Sequence, residues 1–198
     1  SGSEGIGMTH ADPDQWLKFP GTVGKPLMGI IHICDDQGQE VPPGEIGKIY
    51  FESDHDFNYH NDSKKREKVK HSHHSSWSSF GDIGYVNEEG YLFLTDRESF
   101  MIISGGVNIY PQEVENLLSM HEDVEDVAVI GIPDDDMGEQ VKAFIKLSKS
   151  AENRSNQEQY FIEYTRSHLA NYKCPKSISF VDDLPRSDAG KLVKRYLK

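Results

Sequence analysis

The chain has 198 residues, of which 36% are hydrophobic and 27% charged, and this length suits one sizeable or two small folded domains. Its 33 acidic and 21 basic residues give a formal charge of −12, which argues against nucleic acid or an anionic membrane as the main partner. Two cysteines without a paired pattern exclude a disulfide scaffold, and no apolar run approaches the roughly 18 residues of a spanning helix, so we expect a cytoplasmic globular protein without a transmembrane segment or signal peptide.

The first residues, SGSEGIGMTHADPDQW, form a glycine-rich start without an initiator Met. A domain seldom begins on its own loop, so this start indicates either an excised fragment or a cloning remnant ahead of one. A disordered leader is the other interpretation of the same composition.

The first half of the chain has the pattern of short strands. Residues 20–53 alternate apolar runs with the turn clusters DDQG and PPGE, which predicts an antiparallel β unit. The polar residues 54–76 indicate a long loop on the surface, with a short helix at 63–69. Residues 77–97 predict a β-hairpin about the turn NEEG. The apolar run 100–111 predicts one strand that ends in a Gly-Gly loop.

After this run the pattern changes to alternating helices and strands. Proline at the first helical position predicts a helix at 111–121, and a Ser155 cap predicts a second helix that runs to Tyr172. The apolar faces of these helices are Val114, Leu117 and Leu118, and Phe161, Thr165 and Leu169. Further strands are predicted at 124–133, 140–147 and 178–185, and a short basic helix at 191–198. We therefore predict an α+β protein, with an antiparallel β subdomain at 1–96 and a small α+β domain at 97–198.

Four motifs follow one another along the chain. They are GSEGIG at 2–7, GDIGYVNEEGYLFLTDR at 81–97, FMIISGGVNIYPQEVE at 100–115 and LPRSDAGKLVKRYLK at 184–198. In order and spacing they resemble the C-terminal portion of the adenylate-forming superfamily, which includes acyl-CoA synthetases, luciferases and peptide-synthetase adenylation domains. The run MIISGGVNIYPQE is most similar to bacterial fatty-acid and bile-acid type acyl-CoA ligases. The resemblance implies that the first part ends a large AMP-binding domain and that the second part is a small mobile domain.

The resemblance implies a nucleotide site in the first part. Ser3 replaces a more usual Thr and would donate to a phosphate, and Glu4 would help to hold Mg²⁺ on ATP, as suits a hard oxygen ligand. Asp82 would accept hydrogen bonds from both ribose hydroxyls of ATP or AMP, and Arg97 would contact the ribose or phosphate side. Purely structural roles stay open as alternatives: a solvated acid for Glu4, a tight turn for Asp82 and a surface ion pair with an adjacent carboxylate for Arg97.

The resemblance also implies a hinge and a coenzyme A site. Ser99 occupies the hinge position, where the family usually has Asp or Lys. Gly105, Gly106 and Asn108 lie in the loop that lines the pantetheine tunnel, where glycines let the backbone approach a ligand. A plain strand-ending turn is the alternative for this loop. Met137 stands where the family often has a Trp against the adenine of CoA.

Lys191, in PRSDAGK, corresponds to the family's catalytic lysine for adenylation. A fixed ammonium there would bind the carboxylate substrate and neutralise charge that grows toward the α-phosphate. One more exposed lysine in a basic tail is the alternative. The implied reaction joins a carboxylic acid to CoA with ATP, through an acyl-adenylate, with release of pyrophosphate and AMP.

This chain lacks the family's upstream phosphate loop, so we expect it to need the N-terminal part of the same parent chain and to be inactive alone. Two other functions stay open. In the first, the enzyme transfers the acyl group to a carrier protein, or its acceptor is oxygen as in luciferases. In the second, the chain is a non-catalytic nucleotide-binding or interaction module.

Two other clusters have metal-ligand residue types. HSHH at 71–74, with His60 nearby, lacks a second ligand pair at zinc spacing, so a solvated loop is the favoured interpretation. DDD at 134–136 lacks the pattern of a calcium loop and instead predicts a turn between two strands.

Overall fold

The computed structural model describes residues 1–2, 4–54, 69–149, 151 and 156–197. The chain divides into two compact units, Ser1–Ser99 and Phe100–Lys198. Mostly antiparallel strands combine with a few helices in the described residues, so the predicted α+β class is confirmed. No helix of the described part combines the length and apolar character needed to cross a bilayer. The predicted helix at 63–69 lies outside the described residues, except for Val69.

The first unit contains an antiparallel sheet of seven strands. They are β1 (Met8–His10), β2 (Thr22–Met28), β3 (Ile30–Cys34), β4 (Gly47–Glu52), β5 (Trp77–Ser78), β6 (Asp82–Val86) and β7 (Leu92–Arg97). Their order is β1-β2-β7-β6-β4-β3, and β5 pairs with β4. Alternate side chains of β3, β4 and β7 point to one face and form its core with Ile6. The β unit at 20–53 and the hairpin about NEEG are both confirmed.

A short helix that was not predicted from the sequence follows β1. Helix α1 (Pro13–Lys18) has proline at its first turn and a capping box. Asp12 Oδ1 accepts from the Gln15 backbone N–H at 2.8 Å, and Gln15 Oε1 accepts from the Asp12 N–H at 3.1 Å. With β1 just before it, this helix shows that the interpretation of residues 1–16 as a disordered leader was wrong for residues 8–16.

The second unit packs two helices on a five-stranded sheet. The strands are β8 (Ile102–Ser104), β9 (Val107–Ile109), β10 (Val124–Asp134), β11 (Gly138–Leu147) and β12 (Ser177–Phe180), and the helices are α2 (Pro111–Ser119) and α3 (Gln157–His168). The order is β10-β11-β8-β9, and β12 lies parallel beside β11. Val114 and Leu118 of α2 and Phe161 of α3 pack in the core against the β10–β11 hairpin.

Besides the strand predicted at 178–185, which covers only Ser177–Phe180, three predicted elements of this unit differ in the structure. The run 100–111 is a hairpin rather than one strand, because Gly105 and Gly106 have φ of 58° and 78° and reverse the chain between β8 and β9. The second helix ends at His168 instead of Tyr172, since Leu169 takes an extended conformation. Its predicted cap, Ser155, lies outside the described residues.

The third difference concerns the end of the chain. The predicted basic helix is instead a short 3-10 turn, Lys194–Leu197. The preceding residues pair with an earlier segment: Leu192 bridges to Arg186, and the Val193 N–H donates to the Pro185 carbonyl at 2.8 Å. Backbone groups used in this way cannot start an α-helix.

Candidate functional site

Asp82 and Arg97 lie side by side at the open end of the β6–β7 hairpin. They are register partners, and Arg97 Nε lies 2.8 Å from Asp82 Oδ1. Arg97 therefore forms its ion pair with Asp82 and not with a carboxylate adjacent to it in sequence. The Asp96 side chain accepts the Arg97 backbone N–H at 2.7 Å, and Glu98 pairs with Lys48 at 2.8 Å.

The Asp82 carboxyl is partly buried, and its pKa is raised above the usual value. Burial is the main cause, the charge of Glu4 adds to it, and the charge of Arg97 opposes it. The structure thus brings Glu4, Asp82 and Arg97 into one electrostatic neighbourhood within the first unit. A carboxylate with an arginine on one oxygen still has a second oxygen that can accept from a hydroxyl.

Glu4 lies against the start of the chain. A side chain at position 2 would meet Glu4 Oε2 and the Phe80 ring at 2.6 Å each, so glycine leaves room for both. No group of three metal-ligating side chains that could hold an ion is found in the described ranges. A single carboxylate suits a Mg²⁺ ion that is carried mainly by the phosphate oxygens of ATP. Ser3 lies outside the described residues.

Gly105 and Gly106 form the turn of the β8–β9 hairpin, and Asn108 follows in β9. The Gly105 N–H donates to the Met137 carbonyl at 2.9 Å. A Cβ on Gly105 would lie 2.4 Å from Met137 Cε, whereas one on Gly106 meets nothing within 4 Å. The turn therefore has one face covered by Met137 and one open face at Gly106.

Lys191 follows a tight turn that ends in glycine. The Gly190 N–H donates to the Ser187 carbonyl at 2.8 Å, and Gly190 has φ of 75°. The Lys191 side chain is exposed and forms no ion pair with a described residue. Lys194, three residues later, is only 7% exposed and lies 2.7 Å from Glu115, which is 9% exposed. The basic residues of this segment are thus not equivalent.

Neither this buried pair nor the ion pair of Arg186 with Asp126 was predicted from the sequence. The burial of Glu115 could have been predicted from its position in the sequence. Glu115 shares the i, i+3, i+4, i+7 face of α2 with Pro111, Val114 and Leu118, all of which are buried. A carboxylate on a buried helical face needs a partner, but the sequence does not say which cation provides it.

The interpretation of the HSHH segment as a solvated loop is wrong for His71, which is buried, whereas Ser72, His73 and His74 are exposed as expected. His71 is buried, and its Nε2 lies 3.0 Å from the Gly38 carbonyl. Its Nδ1 accepts from the backbone N–H groups of His73 and His74 at 3.1 and 3.2 Å. His74 stacks on Trp77 with 4.0 Å between the ring centroids. His60 lies outside the described residues.

The DDD segment at 134–136 is a turn, as predicted. Asp134 Oδ1 accepts from the backbone N–H groups of Asp136 and Met137 at 3.1 and 2.9 Å. These hydrogen bonds to the charged form hold the pKa of Asp134 below its usual value. The carboxylate therefore shapes the turn that places Met137 over Gly105.

Known proteins are similar to this chain in sequence and in fold. Residues 113–191 match the family described as the AMP-binding enzyme C-terminal domain. The chain is 37% identical to a 2-succinylbenzoate–CoA ligase of Geobacillus kaustophilus, over 94% of this chain and 37% of that protein. It is 36% identical to a long-chain-fatty-acid–CoA ligase of Bacillus subtilis, over 98% and 35%.

Solved structures of adenylate-forming enzymes are also similar to this chain. ATP-bound MatB from Rhodopseudomonas palustris matches with a TM-score of 0.79 and 34% identity, over 90% of this chain and 35% of that one. The o-succinylbenzoate CoA synthetase MenE of Bacillus subtilis, in complex with the acyl-adenylate intermediate OSB-AMP, matches with a TM-score of 0.78 and 34% identity, over 95% and 37%.

These folds and motifs define the class of protein. Residues 113–191 form an AMP-binding enzyme C-terminal domain, and the chain is similar over nearly its whole length to part of known adenylate-forming enzymes. Its relatives include several acyl-CoA ligases. The chain spans little more than a third of the length of the relatives it matches, 37% and 35% for the two ligases named.

Proposed function

We propose that the parent of this chain is an ATP-dependent acyl-CoA synthetase. It activates a carboxylic acid with ATP and Mg²⁺ to an acyl-adenylate and pyrophosphate, and then transfers the acyl group to the thiol of coenzyme A with release of AMP. The two units supply different groups to this reaction: the first unit, Ser1–Ser99, supplies the nucleotide site, and the second unit, Phe100–Lys198, is the mobile domain. The free cysteines Cys34 and Cys174 suit a reducing cytoplasmic location.

The first unit binds the nucleotide in this proposal. Asp82 accepts hydrogen bonds from the ribose hydroxyls, while Arg97 fixes the orientation of that carboxylate and contacts the ribose or phosphate side. Glu4 contributes one carboxylate oxygen to the Mg²⁺ ion on ATP, and Ser3 donates to a phosphate. The ion lowers the negative charge that the attacking carboxylate meets.

The second unit acts in both steps. In adenylation Lys191 holds the substrate carboxylate and neutralises the charge that develops at the α-phosphate. Rotation about Ser99 then withdraws Lys191 and brings the turn of Gly105 and Gly106, followed by Asn108, to the pantetheine chain of CoA. Two different transition states need two sets of placed groups, and one rotating domain can present both.

The presentation of Lys191 carries this proposal. Its ammonium is exposed and without an ion-pair partner among the described residues, while the neighbouring Lys194 is buried against Glu115. A lysine used as an electrostatic catalyst has to be available to an incoming substrate. Lys191 also lies at the end of the segment that matches the family of C-terminal domains.

The test uses the complete parent chain with ATP, Mg²⁺, CoA and a panel of fatty, aryl and steroid carboxylic acids, with thioesters detected by mass spectrometry. Lys191→Ala should reduce adenylate formation about 10²–10³-fold. Thioester formation from a supplied acyl-adenylate should survive in this variant. Lys176→Ala, at an exposed lysine of the same unit that pairs with Asp134 at 3.4 Å, is the matched control.

Other acceptors and functions give different results in this test. Transfer to a phosphopantetheinylated carrier protein, with no transfer to CoA, would identify a carrier-loading enzyme. Tight binding of ATP without turnover of any acid would identify a nucleotide-binding module and contradict the proposal. Pyrophosphate release by the 198-residue chain alone would contradict the expectation that both steps need the rest of the parent chain.

A further inference from the structure

The segment that carries Lys191 is attached to the second unit on both sides of this residue. Arg186 lies five positions before Lys191 and Lys194 three positions after it. Each forms an ion pair with a carboxylate from another element, Arg186 with Asp126 of β10 and Lys194 with Glu115 of α2. Lys191 is the cationic residue between these attachments, and its side chain is exposed.

The Arg186 guanidinium makes two contacts. Its Nη2 donates to Asp126 Oδ2, and its Nη1 donates to the Gly190 carbonyl at 2.9 Å. That carbonyl belongs to the peptide bond that joins Gly190 to Lys191. The planar, forked guanidinium therefore fixes the peptide plane that leads into Lys191 relative to β10.

On the other side the Lys194 ammonium is held from two directions. It lies 2.7 Å from Glu115 Oε1 and 4.8 Å from the centre of the Phe100 ring. The same Glu115 oxygen accepts the Val129 backbone N–H at 2.6 Å, so the pair is also tied to β10. Lys194 therefore attaches the C-terminal side of the segment at a buried position. Arg186 is more exposed, and it contacts the peptide bond that precedes Lys191.

We infer that Arg186, held by Asp126, is a positioning residue for Lys191 in adenylation. This inference rests on the proposed function of Lys191. Arg186 orients the Gly190–Lys191 peptide, so its loss lets the ammonium sample positions away from the reacting carboxylate. A displacement of about 1 Å in a catalytic group can cost about 10²-fold in rate. The nucleotide residues Asp82 and Arg97 lie in the first unit and keep their contacts.

The experiment measures both half-reactions in the complete parent chain. Arg186→Ala should reduce kcat for adenylate formation about 10²-fold, with the KM for ATP and thioester formation from a supplied adenylate unchanged. Asp126→Asn should likewise slow adenylate formation and leave thioester formation unchanged. The double variant should lose no more adenylation activity than Arg186→Ala does, because the two residues act as one unit. Arg195→Ala is the matched control, since this exposed arginine contacts Tyr196 next to it.

Hydrogen exchange of a peptide covering 184–193 gives a readout that is independent of activity. Its amides should exchange faster in Arg186→Ala than in the wild type or in Arg195→Ala, because the Ser187–Gly190 turn loses its tie to β10. Equal adenylation rates for Arg186→Ala and Arg195→Ala, or equal losses in both half-reactions, would overturn the inference. Unimpaired adenylation by Lys191→Ala would instead reject the proposed role of Lys191, and with it this inference.

Discussion

Asp82 and Arg97 are opposite each other in the β6–β7 register and are joined by an ion pair of 2.8 Å. The pair combines a carboxyl whose pKa is raised by burial with an arginine that is mostly exposed. Burial makes the charged form of Asp82 costly, and the fold keeps it in a position where a bound hydroxyl could compensate.

This balance predicts opposite effects of Asp82→Asn on stability and on binding. The amide avoids the cost of a buried charge, so thermal unfolding of the 198-residue chain should occur at an equal or higher temperature. Affinity of the parent chain for ATP should fall about 10- to 100-fold, because hydrogen bonds to charged groups contribute about 1.5–3 kcal/mol. Calorimetry measures both quantities. Asp96→Asn is the control on the same hairpin, and an unchanged ATP affinity in Asp82→Asn would reject the ribose contact.

The buried pair of Lys194 and Glu115 should dominate the electrostatic stability of the second unit. Lys194→Met removes the ammonium that pairs with the buried Glu115 carboxylate and should destabilise this unit by about 3–5 kcal/mol. Adding Glu115→Gln should recover most of the loss, because the amide oxygen still accepts the Val129 N–H. Native-state hydrogen exchange of the β10 and β11 amides gives the free energies. A double variant as unstable as Lys194→Met would show that lost packing, and not the lost ion pair, is the cause.

His71 should make the first unit sensitive to acid. Burial lowers the pKa of His71, and its Nδ1 is used as an acceptor for two backbone N–H groups. The neutral ring is therefore favoured in the folded state, so stability is full above the unfolded pKa of about 6.5 and is lost as the pH falls through the lower folded pKa.

Protection of the His73 and His74 amides from hydrogen exchange, corrected for intrinsic rates, should follow this loss in the 198-residue chain. His71→Gln should remove the pH dependence, whereas His73→Gln, at an exposed position of the same segment, should retain it. The same acid dependence in both variants would assign it to other groups.

The two glycines of the β8–β9 turn should respond differently to alanine. Both have positive φ, so each substitution should cost about 1–2 kcal/mol. Gly105→Ala should cost more, since its Cβ would lie 2.4 Å from Met137 Cε, and Met137→Ala should relieve the difference. Urea unfolding measures these costs. Equal values for Gly105→Ala and Gly106→Ala would show that Met137 moves aside freely.

Local patterns in the sequence determined much of this fold. The alternation of apolar residues and the NEEG turn predicted the β6–β7 hairpin, and Pro111 with an apolar stripe predicted α2. The motifs around Asp82, Gly105 and Lys191 indicated the family, because each combines a backbone requirement with a chemical group in a short stretch. Helix α1 was not predicted, although its D-x-x-Q capping box is a signal in the sequence for the start of a helix.

Only the tertiary structure decided which distant groups meet. Arg186 and Asp126 are 60 positions apart, and nothing in the pattern of either segment specifies the other. The same holds for Lys194 and Glu115, whose burial depends on how α2 and the final segment pack on β10. Periodicity assigns a side chain to a face, but an ion pair depends on the positions of atoms from separate elements. For that reason the sequence predicted Lys191, whereas the two attachments that hold its segment became visible only in the folded chain.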